Sequence, residues 1–201
     1  HYPLRRQRQM CIRDRLEARI LAGNVAQAGL PMQLLNKNWS QTKFYEAKMT
    51  EAKERYLKHN STEYNLEPDL KNAPGGLRDI HTVGWISKRY FRVTNLFGLV
   101  QQEFITEKEF DELQQAEDFL WLIRHHLHKI AKRNENRVLF DYQRLIAERI
   151  GYRDNSHPNA AVEHFMRDYY RYAMSNSTLS EMLTQHYYCL LYTSDAADEE
   201  D

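Results

Sequence analysis

The sequence predicts a mainly α-helical protein, a helical bundle that contains one extended segment rich in proline and glycine. Apolar residues recur at spacings of three and four along most of the chain, which is the period of a helix face that packs on a core. The exception is the stretch 66–81, LEPDLKNAPGGLRDIH, where two prolines and two adjacent glycines interrupt this pattern. We therefore expect helices that pack around a single irregular loop.

Two helical segments are predicted before this loop. Residues 16–22 have the apolar spacing of the end of a helix. A second helix is expected over 41–58, where the residues that recur on one face are Phe44, Ala47, Ala52 and Tyr56.

The irregular loop is predicted to be extended, then turned, then helical. Its apolar members before the turn are Tyr64, Leu66 and Leu70. Pro68 disfavours a helical conformation at Glu67, so this part is either a short edge strand or an extended lead-in. A proline and two glycines at 74–76 indicate a turn, and helical spacing resumes over 77–91.

The longest helix is predicted to begin at Thr106. Thr106 and Glu109 have the spacing of a capping box, in which each side chain binds a backbone N–H at the helix start. Asn134 and Asn136 end the pattern. Between them, the apolar stripe consists of Phe110, Leu113, Ala116, Leu120, Ile123, Leu127 and Ile130.

Two further helices complete the predicted bundle. One covers 141–150 and stops at Gly151, and its inward residues are expected to be Leu145, Ile146 and Ile150. The other opens near Ser156 and Pro158. Its stripe is Val162, Phe165, Met166, Tyr169, Tyr172, Ala173, Leu179, Met182 and Leu183.

Both ends of the chain have an origin that sets them apart from the rest. One DNA sequence that can encode the run 189–199, CLLYTSDAADE, has a reverse complement that translates to the run 5–14, RRQRQMCIRD. The shared inverted element resembles a transposon-end adapter used in preparing sequencing libraries. We therefore predict that 1–15 and 189–201 are disordered flanks, excluded from fold reasoning, and that 16–188 is one helical domain and an internal piece of a longer gene.

The composition of 16–188 narrows the function classes. Both cysteines, Cys11 and Cys189, lie in the flanks, which excludes a disulfide framework or a cysteine-based zinc site. The remaining 23 basic and 22 acidic residues nearly balance, so the segment lacks the excess of positive charge that is typical of nucleic-acid-binding domains. No apolar run approaches the roughly 18 residues of a membrane span. The expected compartment is the cytoplasm.

The loop contains residues that suit a nucleotide–Mg²⁺ site. Glycines allow a close approach of the backbone to a ligand, and the start of the next helix offers N–H donors and a partial positive charge to phosphate. Lys71 and Arg78 add full positive charges. The carboxylates that could hold a divalent cation are Glu67, Asp69 and Asp79. The residue types alone favour the alternative, a purely structural turn with solvated charges, because the P-loop lysine–serine pair is absent.

Other motifs are more typical of structure than of chemistry. In RHHLH (124–128), His125 and His128 lie three residues apart on a helix, but no third metal ligand is identifiable. The tyrosines of DYYRYAMS (168–175) have core spacing. The stripe of the last helix could also be a docking face for another domain.

A family resemblance is carried by the loop and its surroundings. The run YNLEPDLKNAPGGLRDIHTVGWI (64–86) resembles the signature of the bifunctional uridylyltransferase/uridylyl-removing enzymes, which modify the nitrogen-regulatory PII protein. The likeness continues upstream through FYEAKMTEAKERYLKHNSTEYNLEPDLK (44–71). Downstream it includes FLWLIRHHLHKIAKRNENRVLFDYQRLIAERIGY (119–152) and VEHFMRDYYR (162–171).

The resemblance implies a part of such an enzyme rather than the whole. Members begin with a nucleotidyltransferase domain in which an Asp-x-Asp pair binds two Mg²⁺ ions and activates attack on the α-phosphate of UTP. This chain contains no Asp-x-Asp and no His-Asp dipeptide of the hydrolytic domain. We expect the end of the nucleotidyltransferase core with its helical extension, without the remaining core, the hydrolytic domain and the glutamine-sensing modules.

The resemblance also implies roles for loop residues. Glu67 is the first candidate for the third carboxylate and a metal ligand, and Asp69 is the second. Asp79 is expected to cap the following helix. The residues expected to contact the triphosphate, or the surroundings of the incoming tyrosine, are Lys71, Gly75, Gly76 and Arg78.

Two functions follow from these expectations. The first is a fragment of a transferase that moves UMP from UTP to a tyrosine of PII with Mg²⁺, inactive in isolation because the Asp pair is absent. The alternative is a helical interaction or scaffold module whose Gly-Gly loop is purely structural.

Overall fold

The computed structural model confirms a mainly helical protein. It describes residues 39–58, 65–154 and 156–198, and side chains as far as residue 193. The predicted helix end at 16–22 and the position of Tyr64 lie outside the described residues. The described helices are α1 (Gln41–Lys58), α2 (Leu77–Tyr90), α3 (Phe97–Gln101), α4 (Glu107–Ala131), α5 (Phe140–Ile150) and α6 (Ala160–Asp198).

Local sequence features determine several helix ends. The capping box is confirmed at α4, since the Glu109 N–H donates to Thr106 Oγ1 at 3.2 Å and the Thr106 N–H donates to the Glu109 carboxylate at 2.8 Å. The Thr106 hydroxyl also donates to the Glu109 carboxylate at 2.8 Å, and the hydrogen bonds from the Thr106 N–H and hydroxyl hold the pKa of Glu109 below its usual range. Helix α5 ends at Gly151, which has a φ of 100°, as its sequence predicts.

The segment before the PGG turn (residues 74–76) is an extended lead-in that pairs with the chain just before α5. A single antiparallel bridge joins Asp69 to Arg137. The Leu70 N–H donates to the Asn136 carbonyl, and the Val138 N–H donates to the Pro68 carbonyl, both at 2.9 Å. Leu70 and Val138 are fully buried, so this short pairing is anchored in the core.

Helix α6 runs along two hydrophobic clusters. Its first part packs against α4, α5 and the lead-in, and this cluster includes Leu70, Leu120, Leu127, Ile146, Phe165 and Tyr169. Its last part packs against α1 and α2, and that cluster, to which α3 contributes Leu99, includes Phe44, Val83, Trp85, Leu99, Leu183 and Tyr187. Because α6 belongs to both clusters, it connects the two halves of the bundle.

Three expectations are corrected by the structure. Leu145 and Met182 were placed on inward faces but are 40% and 41% exposed, because each lies beside the stripe that packs. The 189–201 flank was predicted to be disordered, yet α6 continues to Asp198 and Leu191 is buried. Leu191 follows the buried Tyr187 by one turn, and helix growth from a packed turn is favourable.

Helix α3 was not predicted, since five residues are too few to show a period.

None of the helices in the described part of the chain combines the length and the apolar character that a membrane span requires.

Candidate functional site

The PGG turn is packed directly against the backbone of α6. Gly75 has a φ of +74°, and a Cβ atom built there would lie 2.1 Å from the Ala173 carbonyl oxygen. A Cβ at Gly76 would lie 2.9 Å from the Ala73 carbonyl oxygen. Both glycines are buried. Their missing side chains therefore allow close contact with protein backbone.

The polar groups of the two glycines are engaged within the chain. The Gly75 N–H donates to Asp79 Oδ2 at 2.7 Å, and the Gly76 N–H donates to the Ala73 carbonyl at 2.9 Å. The Asn176 side-chain amide donates to the carbonyls of Gly75 and Gly76 at 2.8 and 3.2 Å. The expected free N–H donors for phosphate are thus absent from this turn as described.

The next two amides are also used by the lead-in. The Leu77 N–H donates to the Leu70 carbonyl and the Arg78 N–H donates to the Lys71 carbonyl, both at 2.9 Å. Because these two amides already have acceptors, the lead-in occupies the positions at the start of α2 where a phosphate would bind. The Arg78 side chain is separate from them, and its guanidinium lies 5.3 Å from the ring centroid of Trp85. The nucleotide-contact roles of the two cations and two glycines stay predictions.

The first candidate carboxylate, Glu67, lies at the start of α5. Its Oε1 accepts a hydrogen bond from the Phe140 N–H at 3.1 Å, and its Oε2 lies 3.2 Å from Arg137 Nη2. A carboxylate is stabilised there by the N-terminal dipole of α5. The geometry accounts for Glu67 structurally, and its role as third carboxylate and metal ligand stays a prediction.

The second candidate, Asp69, stabilises the turn that follows it. Its Oδ1 accepts from the N–H groups of Lys71 and Asn72 at 2.9 and 2.7 Å, and its Oδ2 accepts from the Asn72 side-chain amide at 3.1 Å. This is the Asx-turn pattern, in which a side chain imitates a backbone turn. A catalytic role for Asp69 likewise stays a prediction.

Asp79 connects the PGG turn to α1. It lies in the first turn of α2 and is 2% exposed. Its carboxylate accepts the Gly75 N–H and also a hydrogen bond from Arg55 Nη2 at 2.5 Å. Asp79 was expected to cap α2, but the N-cap is Gly76 and has no side-chain cap hydrogen bond. The Asp79 carboxylate instead binds the N–H of Gly75, the residue before the N-cap. Burial, and then the Asp79 charge, raise the pKa of Tyr56.

A cavity of about 300 Å³ lies beside this ion pair, between α1, the PGG turn with α2, and α6. Pockets for small ligands begin at about this size. The Nε atom of Arg55 is buried and has no hydrogen-bond partner among the described residues. The cavity is lined by Met49, Ala52, Arg55, Tyr56, Pro74, Asp79, Thr82, Ser177, Ser180, Glu181 and Thr184.

The residues of this cavity outside the loop were missed in the sequence. Arg55 lies on a helix recognised only by its apolar face. Ser180 and Thr184 lie on α6, and both are buried. Together with Asn176 they recur at intervals of four, which is core spacing for a helix. This polar interruption of an apolar stripe was the available signal.

A second cavity of about 380 Å³ lies between α2, α3 and α4, and its walls include Trp85, Phe97, Phe110 and Glu117. Burial raises the pKa of Glu117. Two of its polar lining residues are engaged within the chain: Asn95 Oδ1 accepts the Gly98 N–H at 3.1 Å, and Gln114 Nε2 donates to Asp118 Oδ1 at 3.1 Å.

The histidines of α4 differ in their surroundings. His126 Nδ1 and His128 Nε2 are buried and lack partners among the described residues, while His125 is exposed. The described part of the chain contains no group of three or more His, Cys, Asp or Glu residues that could hold a metal ion.

Comparisons with known proteins identify the family. A family model described as GlnD PII-uridylyltransferase matches residues 43–184. Three similar relatives carry the name bifunctional uridylyltransferase/uridylyl-removing enzyme. The protein from Psychrobacter sp. (strain PRwf-1) is 66% identical over 86% of this chain, that from Psychrobacter cryohalolentis is 61% identical over 92%, and that from Acinetobacter baumannii is 53% identical over 86%.

The matched region is a small part of each relative. This chain covers 20% of the length of each of the three. No solved structure matches it significantly. The family model nevertheless spans well over half of the chain, and the identity is high along nearly all of it. The chain therefore belongs to the GlnD PII-uridylyltransferase family.

Proposed function

We propose that this chain is part of an enzyme that transfers UMP from UTP to a tyrosine of the PII protein, using Mg²⁺. The observation that carries the proposal is the family match over residues 43–184, together with 66% identity to a uridylyltransferase/uridylyl-removing enzyme. Removal of UMP by hydrolysis belongs to the same whole protein. The proposed compartment is the cytoplasm.

Within that enzyme, this chain contributes the end of the nucleotidyltransferase core together with its helical extension. The Asp-x-Asp pair that would bind Mg²⁺ does not occur in the sequence. The isolated chain is therefore expected to be inactive. Glu67 would supply the third carboxylate from the rim of the bundle, where 24% of its side chain is exposed.

Replacement of Glu67 by Gln in the full-length enzyme tests this role. The glutamine oxygen keeps an acceptor for the Phe140 N–H, so the fold should survive while one metal ligand loses its charge. We expect the uridylylation rate to fall about a hundredfold or more. Glu148→Gln, at an exposed position on α5, serves as the matched control. A wild-type rate for Glu67→Gln would show that Glu67 is not the third carboxylate.

A helical scaffold with a structural Gly-Gly loop is the second candidate function. One observation favours it, namely the complete use of the Gly75 and Gly76 amides within the chain. Titration of the full-length enzyme with Mg²⁺–UTP separates the two. Shifts in the loop resonances that vanish in Lys71→Ala and Arg78→Ala support nucleotide binding by the loop. The absence of any shift at millimolar nucleotide supports the scaffold.

A further inference from the structure

The second cavity, of about 380 Å³ between α2, α3 and α4, has an aromatic wall that borders solvent. Phe97 and Phe110 meet there nearly edge to face, with ring centroids 5.4 Å apart. Phe97 is 45% exposed, whereas Trp85 is buried. The other apolar side chains of the lining are Ile80 and Leu96. A cavity of this size and composition suits the aromatic ring of a small molecule.

The α4 wall contributes a carboxylate that lacks a cationic partner. Glu117 is half-buried and accepts a hydrogen bond from the Trp121 side chain. Burial raises the pKa of Glu117 and the neighbouring Asp118 charge raises it further, while no cation of the described residues lowers it. A carboxylate in such surroundings is stabilised by an added positive charge. The ammonium group of a ligand would supply that charge.

The α2 wall contributes a lysine that is not paired with a carboxylate either. Lys88 lines the same cavity and is half-buried. Among the described residues no carboxylate forms an ion pair with Lys88, and Glu117 is no exception. Two opposite charges therefore line one cavity without forming an ion pair with each other.

The uncharged polar groups of the lining are partly engaged within the chain. Asn95 Oδ1 accepts the Gly98 N–H, which leaves the Asn95 side-chain N–H groups for a ligand. Gln114 Nε2 donates to Asp118 Oδ1, which leaves the Gln114 side-chain oxygen as an acceptor. The remaining polar lining residues are His81, whose ring centroid lies 5.9 Å from that of Trp85, and the exposed Thr94.

The pair of charges determines the class of ligand. An anion would pair with Lys88 but meet the negative charge of Glu117, and a cation would meet the reverse conflict. An uncharged molecule would displace water and leave both charges unpaired. A zwitterion satisfies both charges at once.

We propose that this cavity binds a free α-amino acid with an aromatic side chain. The ammonium group would pair with Glu117, the carboxylate would pair with Lys88, and the ring would pack against Phe97 and Phe110. None of these residues belongs to the candidate nucleotide site, so the inference does not depend on the proposed uridylyl transfer.

The first test is a calorimetric titration of the full-length protein with L-phenylalanine and with compounds that lack one of its groups. Phenethylamine lacks the carboxylate, 3-phenylpropionate lacks the ammonium group, and L-alanine lacks the ring. We expect saturable binding of L-phenylalanine and at least tenfold weaker binding of each of the other three. The proposal is overturned if L-phenylalanine does not bind at millimolar concentration, or if any of the three binds as tightly.

Two variants that remove a charge locate the binding. Glu117→Gln keeps an acceptor for Trp121, and Lys88→Met keeps a long side chain, and each should weaken L-phenylalanine binding at least tenfold. Because each variant also removes a repulsion, Glu117→Gln should bind 3-phenylpropionate more tightly than the unaltered protein does. Lys88→Met should likewise bind phenethylamine more tightly. A merely structural role would not change the preference for the two analogues in opposite directions.

Asp111→Asn and Lys129→Met are the matched controls, since both residues are exposed on α4 and lie outside the cavity lining. They should leave the affinity unchanged, and circular dichroism checks that all four variants are folded. If Glu117→Gln and Lys88→Met bind L-phenylalanine as tightly as the unaltered protein, the ligand lies elsewhere and the proposal is overturned. Uridylyl transfer is measured separately with Glu67→Gln, so failure here leaves that function standing.

Discussion

Two consecutive stretches of α6 pack at similar depth but with opposite chemistry. In the first, Phe165 and Ala173 are fully buried and apolar. In the second, Asn176, Ser180 and Thr184 are buried too, with 0%, 5% and 7% of their surface exposed. In this second stretch the polar positions stand beside apolar ones, since Leu183 and Tyr187 are buried as well.

The difference between the two stretches distinguishes apolar burial from specific hydrogen bonding. The apolar stretch is explained by burial in the core. The polar stretch loses hydration, and it is stable only because its groups are hydrogen-bonded. Asn176 binds the carbonyls of the PGG turn, while Ser180 and Thr184 line the cavity beside Arg55. Buried polar positions of this kind mark where a helix does more than fill the core.

The largest expected effect comes from the contact between α6 and the PGG turn. Gly75→Ala would place a Cβ 2.1 Å from the Ala173 carbonyl oxygen, at a positive φ. We expect the free energy of unfolding to fall by about 3 kcal/mol or more. Gly151→Ala is the control, because its φ is also positive but no atom lies within 4 Å of the added Cβ. It should cost about 1 kcal/mol, and equal losses in urea denaturation would contradict the packed turn.

Asn176→Ala tests the polar stretch itself. The change leaves the buried carbonyls of Gly75 and Gly76 without the amide that binds them, and we expect a loss of about 2 kcal/mol. Ser175→Ala removes only a long hydrogen bond of 3.3 Å to Glu112 and should cost about 0.5 kcal/mol or less. Thermal unfolding of the two variants compares the sites. A negligible effect of Asn176→Ala would mean that the turn does not depend on α6.

A smaller effect is expected from Tyr45, which donates to the Thr184 carbonyl at 2.7 Å. Burial raises the pKa of Tyr45 from 10.0 to about 12. Below pH 10 both states hold the proton and the stabilisation is complete. Between pH 10 and 12 the unfolded chain releases the proton first, so stability falls as the pH rises. Tyr45→Phe should reduce the slope of the unfolding free energy against pH by about 1 kcal/mol per pH unit in this range. Urea denaturation midpoints of both proteins at pH 9, 10 and 11 measure that slope. Parallel curves would contradict the raised pKa.

Local features of the fold were readable in the sequence. The limits of α1, the capping box of Thr106 and Glu109, and the stop at Gly151 each depend on residues within a few positions of one another. Such signals require no knowledge of the tertiary structure. The predicted burial of Leu145 and Met182 was wrong because apolar character alone does not identify which side of a stripe meets the core.

The arrangement of the candidate site was not readable in the same way. Asn176 binds carbonyls a hundred residues earlier in the chain, and Arg55 meets Asp79 across the irregular loop. A glycine at position 75 indicates a close approach of another group to the backbone, but the sequence does not show whether that group is a ligand or α6. Pairings of this kind depend on how the helices pack.

Native-state hydrogen exchange of the Gly75 and Gly76 amides is the most direct test of this packed turn. Both N–H groups have intramolecular acceptors and are buried. We predict that they exchange as slowly as the amide of Ile80 inside α2, through opening of the bundle. Exchange at the rate of an unstructured peptide would mean that the two amides face solvent, and that the turn is available to a phosphate after all.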